Sequence, residues 1–282
     1  MSYSKILLIG FFVFSLKSLY CFESDDDNFS IALVSDSRGD MFDVGEELEY
    51  DVYYTFLNIG KIKFKVYGNE QRGKRKVYKA YAFMDSNPSL SWLVDLHVKF
   101  FSEIDENAFS YGWISEDSTN EKVYIRIMKF DYEKNKMYFS WGEKLKSGEY
   151  LIEKTDTITI NRHAQDGLSL FYYARKNALR KMRVKVPTFI DTSEFNTDIN
   201  FNIARLEDKI DAIDYSVDVV KLNGYADFVG IFGLTGYFEG VFSNDIASIP
   251  ISAKLKVVLG SIRVELKSWK RSNWVPPRAS SK

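Results

Sequence analysis

Three side chains able to form a hydrolytic relay fall close together in the chain: His163, Asp166 and Ser169. A histidine oriented by a carboxylate can take a proton from a hydroxyl, and a serine so activated attacks an acyl centre. Gly167-Leu168-Ser169-Leu170-Phe171 places glycine and serine as a nucleophile elbow does, but Phe171 stands where the tight strand-to-helix turn needs a second glycine. Asp166 reads instead as the N-cap of a helix. No catalytic residue is assigned on this pattern, and His97 reads as a strand residue. With two histidines and one cysteine, Cys21, the chain offers no His-rich metal site and no intramolecular disulfide, and no cofactor is implied.

Gly224, Gly230, Gly233, Gly236 and Gly240 invite a phosphate-loop reading, yet no Gly-Lys-Ser/Thr follows and the spacing is not a dinucleotide fingerprint. Set among Tyr225, Phe228, Phe232, Tyr237 and Phe238, they mark bends in a curved sheet. The carboxylate pairs Glu46/Glu47 and Asp208/Asp211 carry no sign of perturbation. Two binding determinants remain. The aromatic load, 18 Tyr, 22 Phe and 5 Trp, would let a curved sheet hold an acyl chain or another apolar ligand. The basic set Arg175, Lys176, Arg180 and Lys181 would meet an anionic surface, although cations gather at a helix C-terminus in any case.

The elements that must position these residues are mostly strands. Leu48, Tyr50, Val52, Tyr54 and Phe56 alternate with Glu47, Glu49, Asp51 and Thr55, the period of a half-buried strand. After Asn58 to Gly60 the alternation resumes with Ile62, Phe64 and Val66 against Lys61, Lys63 and Lys65, so the two predict a hairpin with acidic and basic outer faces opposed. Short polar turns then join strands at 77–84, 98–104, 109–114, 121–132, 136–141 and 150–160, with a short helix over 89–96. From Asp166 to Arg180 the period becomes helical. Further strands are expected at 199–204, 210–222, 236–242, 249–258 and 261–269. The fold class is mainly β: a large curved antiparallel sheet or open barrel or sandwich with one helix packed on it. That helix should lie across the concavity as a lid, Phe171 and Leu179 inward, above an apolar space bounded by the first strand.

Lys5 followed by the apolar run Ile6 to Leu16 suits a signal peptide and is too short to span a bilayer. Residues 1–21 are therefore expected to direct export to the periplasm or cell envelope, and Tyr20 before Cys21 argues against lipidation. Residues 22–41 read as a solvated acidic leader, 42–270 as one β-rich domain and 271–282 as a flexible basic tail. Asp25, Asp26 and Asp27 lack the alternating spacing of a calcium loop. A net charge of -1 removes the footprint of a nucleic-acid binder, and no transmembrane span is expected in the mature chain.

Three stretches carry a resemblance. Phe42-Asp43-Val44-Gly45-Glu46-Glu47-Leu48-Glu49-Tyr50 with Ile59-Gly60, the segment Asp166 to Arg175, and Gly240 to Ile251 followed by Gly260 to Leu266 resemble, in order and spacing, the bacterial domain-of-unknown-function 3108 family. The resemblance implies an exported β-rich envelope protein without established activity. By analogy it extends to the lipoprotein-carrier fold, a curved sheet with helices over its concave side.

Three functions stay open. A carrier of an apolar, lipid-like envelope ligand would use Tyr50, Val52, Tyr54, Phe56, Phe171 and Leu179. An envelope scaffold with a protein partner predicts a closed dry core and an exposed apolar patch. A hydrolase predicts a pocket where His163, Ser169 or a carboxylate converge.

Overall fold

The computed structural model describes residues 41–92, 95–201, 205–228, 230, 234–257 and 260–280. The expected signal peptide, the leader up to residue 40, Gly233 and Phe232 lie outside the described residues. Among those described, fifteen strands form one antiparallel sheet. They are β1 (Glu47–Tyr54), β2 (Leu57–Arg72), β3 (Arg75–Ser86), β4 (His97–Asp105), β5 (Ser110–Ser118), β6 (Val123–Asp131), β7 (Lys136–Lys144) and β8 (Tyr150–Thr159). After the helix α1 (Gly167–Asn177) come β9 (Arg183–Ile190), β10 (Ser193–Asn200), β11 (Arg205–Asp208), β12 (Val217–Ala226), β13 (Leu234–Ser243), β14 (Pro250–Val257) and β15 (Ser261–Lys270). The strand order is β8-β7-β6-β5-β4-β3-β2-β1-β15-β14-β13-β12-β10-β9, with β11 also on β12.

The opening hairpin forms as its alternation predicts. Leu48, Tyr50 and Val52 are buried, and Glu47, Glu49 and Asp51 stand opposite Lys65, Lys63 and Lys61 on the outer face. Two of these pairs close, Glu47 with Lys65 at 2.8 Å and Glu49 with Lys63 at 3.5 Å.

So long a sheet must twist and curl. Phe130 of β6 and Phe189 of β9 meet edge to face at 5.7 Å although their strands lie near opposite ends of the order. Closure does not come from pairing β8 with β9. The segment before α1 spans the gap: Ser110 N donates to Ala164 O, Gln165 N to Pro187 O, and Phe189 N back to Gln165 O. Pro187 can sit in β9 because it supplies a carbonyl there while its missing N–H is tolerated on an edge strand. β8, at the other edge, is exposed along nearly all its length and carries a bulge beside Gly142 together with Glu153, Lys154 and Asp156, features that keep an edge from pairing.

The second half of the chain departs from the expected strands. β9 and β10 form a hairpin turning at Asp191, which takes a positive φ of 52°. The run expected as a strand from Ile210 is a loop until β12 begins: Ile210 and Ile213 are buried, Asp211 N donates to Glu265, and Ser252 Oγ donates to Asp208 at 2.7 Å. Buried isoleucines in a covering loop imitate strand periodicity. The expected helix over 89–96 is a 3-10 turn, Pro88–Leu90, capped by the Asn87 side chain. α1 ends at Asn177 rather than Arg180, because Ala178 N–H turns to the Arg175 carbonyl and Asn177 bonds the Tyr173 carbonyl. The expected flexible tail is tied down as far as Ala279: Trp274 Nε1 donates to Asp245 at 2.8 Å, Pro277 O accepts from Asp218 N, Arg278 pairs with Val217, and Ala279 N donates to Ser216 O. Met41, assigned to the leader, is buried.

α1 lies on the concave face between two apolar clusters. Leu168 and Tyr172 pack into the main core of β1 to β7 and β15, while Leu170, Ala174 and Ala178 pack on Val186, Ile199, Phe201, Leu222 and Phe242.

Candidate functional site

The residues just before β1, in α1 and just after β15 converge. Glu46, 1% exposed, accepts from Arg175 Nη1 at 2.6 Å and Nη2 at 3.0 Å, and also from Arg271. Arg175 Nη2 donates to Ala247 O at 3.1 Å, Tyr50 OH to Pro250 O at 3.0 Å, and Arg271 Nη1 to Met41 O at 3.0 Å. Phe42 stacks on Tyr78 at 4.1 Å and on Tyr172 at 5.2 Å. Burial opposes the charge of Arg175, but Glu46 overrides it and raises its pKa, and burial raises the phenols of Tyr50 and Tyr172. Two arginines against one carboxylate, with backbone carbonyls accepting further hydrogen bonds from them, make a buried clasp that joins the segments before β1 and after β15 to α1. It leaves no group exposed for substrate. Arg175 was expected on an anionic surface. It is withdrawn from solvent entirely, because its helix face turns toward Glu46, while Lys181 is exposed and Lys176 and Arg180 are half-buried.

The hydrolytic relay does not assemble. Asp166 Oδ1 accepts from Leu168 N, Ser169 N and Ser102 Oγ, and Ser169 Oγ accepts from Asp166 N, a reciprocal cap. Burial raises the Asp166 carboxyl, and Asp166 lies beneath the sheet rather than in a cleft. His163 rests on Phe109 and Tyr132, with ring centroids 5.0 and 4.3 Å away, and burial followed by Arg75 lowers its pKa. Of the glycine cluster, Gly224 and Gly240 serve packing, while Gly236 takes a positive φ of 71°. A Cβ on Gly224 would stand 2.3 Å from Phe238 Cζ and 2.5 Å from Asp198 O, so the bare backbone is what lets the ring lie over the strand.

Of the residues expected to touch an apolar ligand, Tyr50 and Val52 are buried in the core, Tyr54 is half-buried on the concave face, and Phe171 stacks on Phe64 at 4.1 Å. Phe56 does not belong with them. It sits at the β1/β2 tip, 85% exposed, because Thr55 takes a positive φ of 54° and ends the alternation. Leu179 is half-buried beyond the end of α1. The space directly beneath α1, expected to be open, is filled by the Phe42–Tyr78, Phe42–Tyr172 and Phe64–Phe171 stacks. The concave surface still open to solvent lies further from α1, where Tyr54, Met84, Leu255 and Val257 pack against the core but remain half-exposed. These last three were missed because each belongs to a strand whose own pattern shows only which face is apolar.

Two grooves lie on the outer face. One of about 510 Å³ crosses β1, β15, β14 and β13 between Tyr53, Arg263, Lys254, Ser252, Glu239 and Val241. The other, about 380 Å³, is lined by Lys63, Tyr81, Phe83, Lys99 and Phe101. Among the described residues no three metal-ligating side chains cluster, and no helix is long and apolar enough to cross a membrane.

A curled antiparallel sheet, almost closed and holding one helix, defines a barrel-like protein. The chain belongs to the family described as protein of unknown function DUF3108, which matches residues 49–267. Among solved structures it is similar to a β-barrel-like protein of domain of unknown function DUF1849 from Brucella abortus, at 10% identity and TM-score 0.52, covering 82% of this chain and 99% of that one. It also aligns with a candidate exported protein of YmcC-like fold from Bacteroides fragilis, at 6% identity, TM-score 0.33, and 81% and 96% coverage. A candidate lipoprotein from Parabacteroides distasonis aligns at 13% identity, TM-score 0.31, and 82% and 98% coverage. No curated protein matches the sequence.

Proposed function

We propose that this is an exported, non-catalytic protein of the cell envelope whose concave sheet face receives an apolar, lipid-like ligand on the side away from α1. The observation that carries the reading is the strip Tyr54, Met84, Leu255 and Val257, continuous with the core yet left half in water. An acyl chain laid on it gains roughly 0.8 kcal/mol for each methylene buried. Export rests on Lys5 and the apolar run that follows it. The test is organic extraction of protein purified from its native envelope, read by mass spectrometry. A co-purifying lipid-like molecule is expected, with lower occupancy in a folded Met84→Asp variant. A clean extract, with no uptake of a fluorescent fatty acid by the pure protein, would favour an envelope scaffold instead, a reading supported by the aromatic stacks that fill the space beneath α1.

A further inference from the structure

The hairpins turn at two ends of the sheet, and the exposed aromatic side chains at their tips divide by end. Beside α1 the hairpin tips hold Arg72 to Arg75, Glu106 and Asn107, Glu133 to Asn135, and Asn244, Asp245 and Ser248, and the exposed apolar residues there are the aliphatic Val44, Ile246 and Val275. At the far end the β1/β2 tip carries Phe56, 85% exposed, with Leu57, and the β3/β4 connection carries Trp92, 78% exposed. There, too, Tyr225 and Tyr237 stand opposite each other on β12 and β13, both exposed. These hairpins are contiguous, since the order runs β4-β3-β2-β1-β15-β14-β13-β12. Of the next tips along the same end, Thr119 to Lys122 is polar, while the β7/β8 connection carries exposed Leu145 beside Tyr150 and Leu151 and extends the apolar rim.

Charge at this rim has a sign. Lys61, Lys254 and Lys256 are exposed, whereas the acids Asp51, Asp85 and Glu239 are engaged by Lys267, His97 and Lys221; Asp95, beside His97, and Asp227 are the exposed acids among the described residues of the rim. The 510 Å³ groove reaches the rim at Thr55 and Gly260 and holds Lys254 beside Tyr53 and Val241. Trp and Tyr are the residues that settle at a membrane interface, and lysine near it is drawn to anionic headgroups. Apolar side chains carried on separate tips fit a fluid surface better than a flat protein face, and tips that enter only the headgroup region keep their backbone hydrated.

The geometry points to this end of the sheet docking on an anionic lipid bilayer, Phe56 and Trp92 entering the interface and Lys254 receiving a phosphate headgroup in the groove. The docking does not require the concave-face ligand. It is tested with the full chain and vesicles of phosphatidylglycerol or phosphatidylcholine, using brominated acyl chains as the depth probe. Tryptophan emission should be quenched by brominated phosphatidylglycerol vesicles, and the quenchable fraction should fall sharply in Trp92→Phe, whatever the N-terminal segment does. Phe56→Ser should weaken vesicle binding, and Lys254→Gln should weaken it about fivefold at low salt, an effect that disappears at high salt. Equal quenching in the wild type and Trp92→Phe would overturn the proposal. Equal affinity for phosphatidylcholine and phosphatidylglycerol vesicles at low salt would overturn its anionic part.

Discussion

At the α1 end of the sheet an ion cluster is buried: Glu46 holds Arg175 and Arg271. At the far end, Phe56 and Trp92 are 85% and 78% exposed. The first arrangement is intelligible as architecture. It joins the beginning of β1, the helix and the segment after β15, and a buried charge survives only when so joined. The second gives the fold nothing, since removing an exposed aromatic from a hairpin tip costs little stability. The same sheet thus separates a closing end from an end whose apolar groups await something outside the chain.

Breaking the closing end should have the largest effect. Arg175→Ala leaves Glu46 buried with a weaker set of partners, and about 3–5 kcal/mol of unfolding free energy should be lost, measured by urea denaturation. Near-neutral stability would show that Arg271 alone satisfies Glu46.

The next effect is one of pH, also at the α1 end. Asp105 caps the β4/β5 turn by accepting from Asn107 N and Phe109 N, and burial pushes its carboxyl from 3.8 up to about 6. Between those values the folded protein holds a proton that the unfolded chain releases, so this group's contribution falls as pH rises from about 4 to 6. Asp105→Asn keeps the acceptor and cannot ionise. Relative to it, the wild type should lose up to about 3 kcal/mol across that window, and parallel stability curves for the two would refute the assignment.

Gly224→Ala tests the packing of β12 against β13 and β10. Its Cβ would meet both the Phe238 ring and the Asp198 carbonyl, so about 1–3 kcal/mol should be lost, seen as a lower Tm. Smallest of all, Phe56→Ser and Trp92→Ser should each shift stability by no more than about 0.5 kcal/mol. A large loss at either would mean that the far end is structural too, and the contrast between the ends would collapse.

Part of this molecule is legible from the sequence. The β1/β2 alternation, its opposed Glu and Lys faces, and the Asp166 cap of α1 are local, because strand and helix periods act on neighbouring residues. The β9/β10 hairpin was not legible: its turn at Asp191 lacks a glycine, and Ile210 and Ile213 carry a strand-like pattern in a loop. The candidate ligand strip was half legible. Its period told that Tyr54 faces inward, while Phe56, two residues on, continued the pattern in sequence and left it in space once Thr55 turned.

Local pattern in the chain thus specifies a β-rich protein with one capped helix and an apolar face on most strands. Long-range packing sets the rest: Arg175 meets Glu46 across 129 positions, the segment before α1 rather than β8 spans the gap between the sheet edges, and some apolar side chains stay in water. The physical reason is that periodicity assigns a side chain to a face of its own element. Whether that face is covered depends on how far the sheet twists and curls before distant strands meet, and no local pattern encodes that sum.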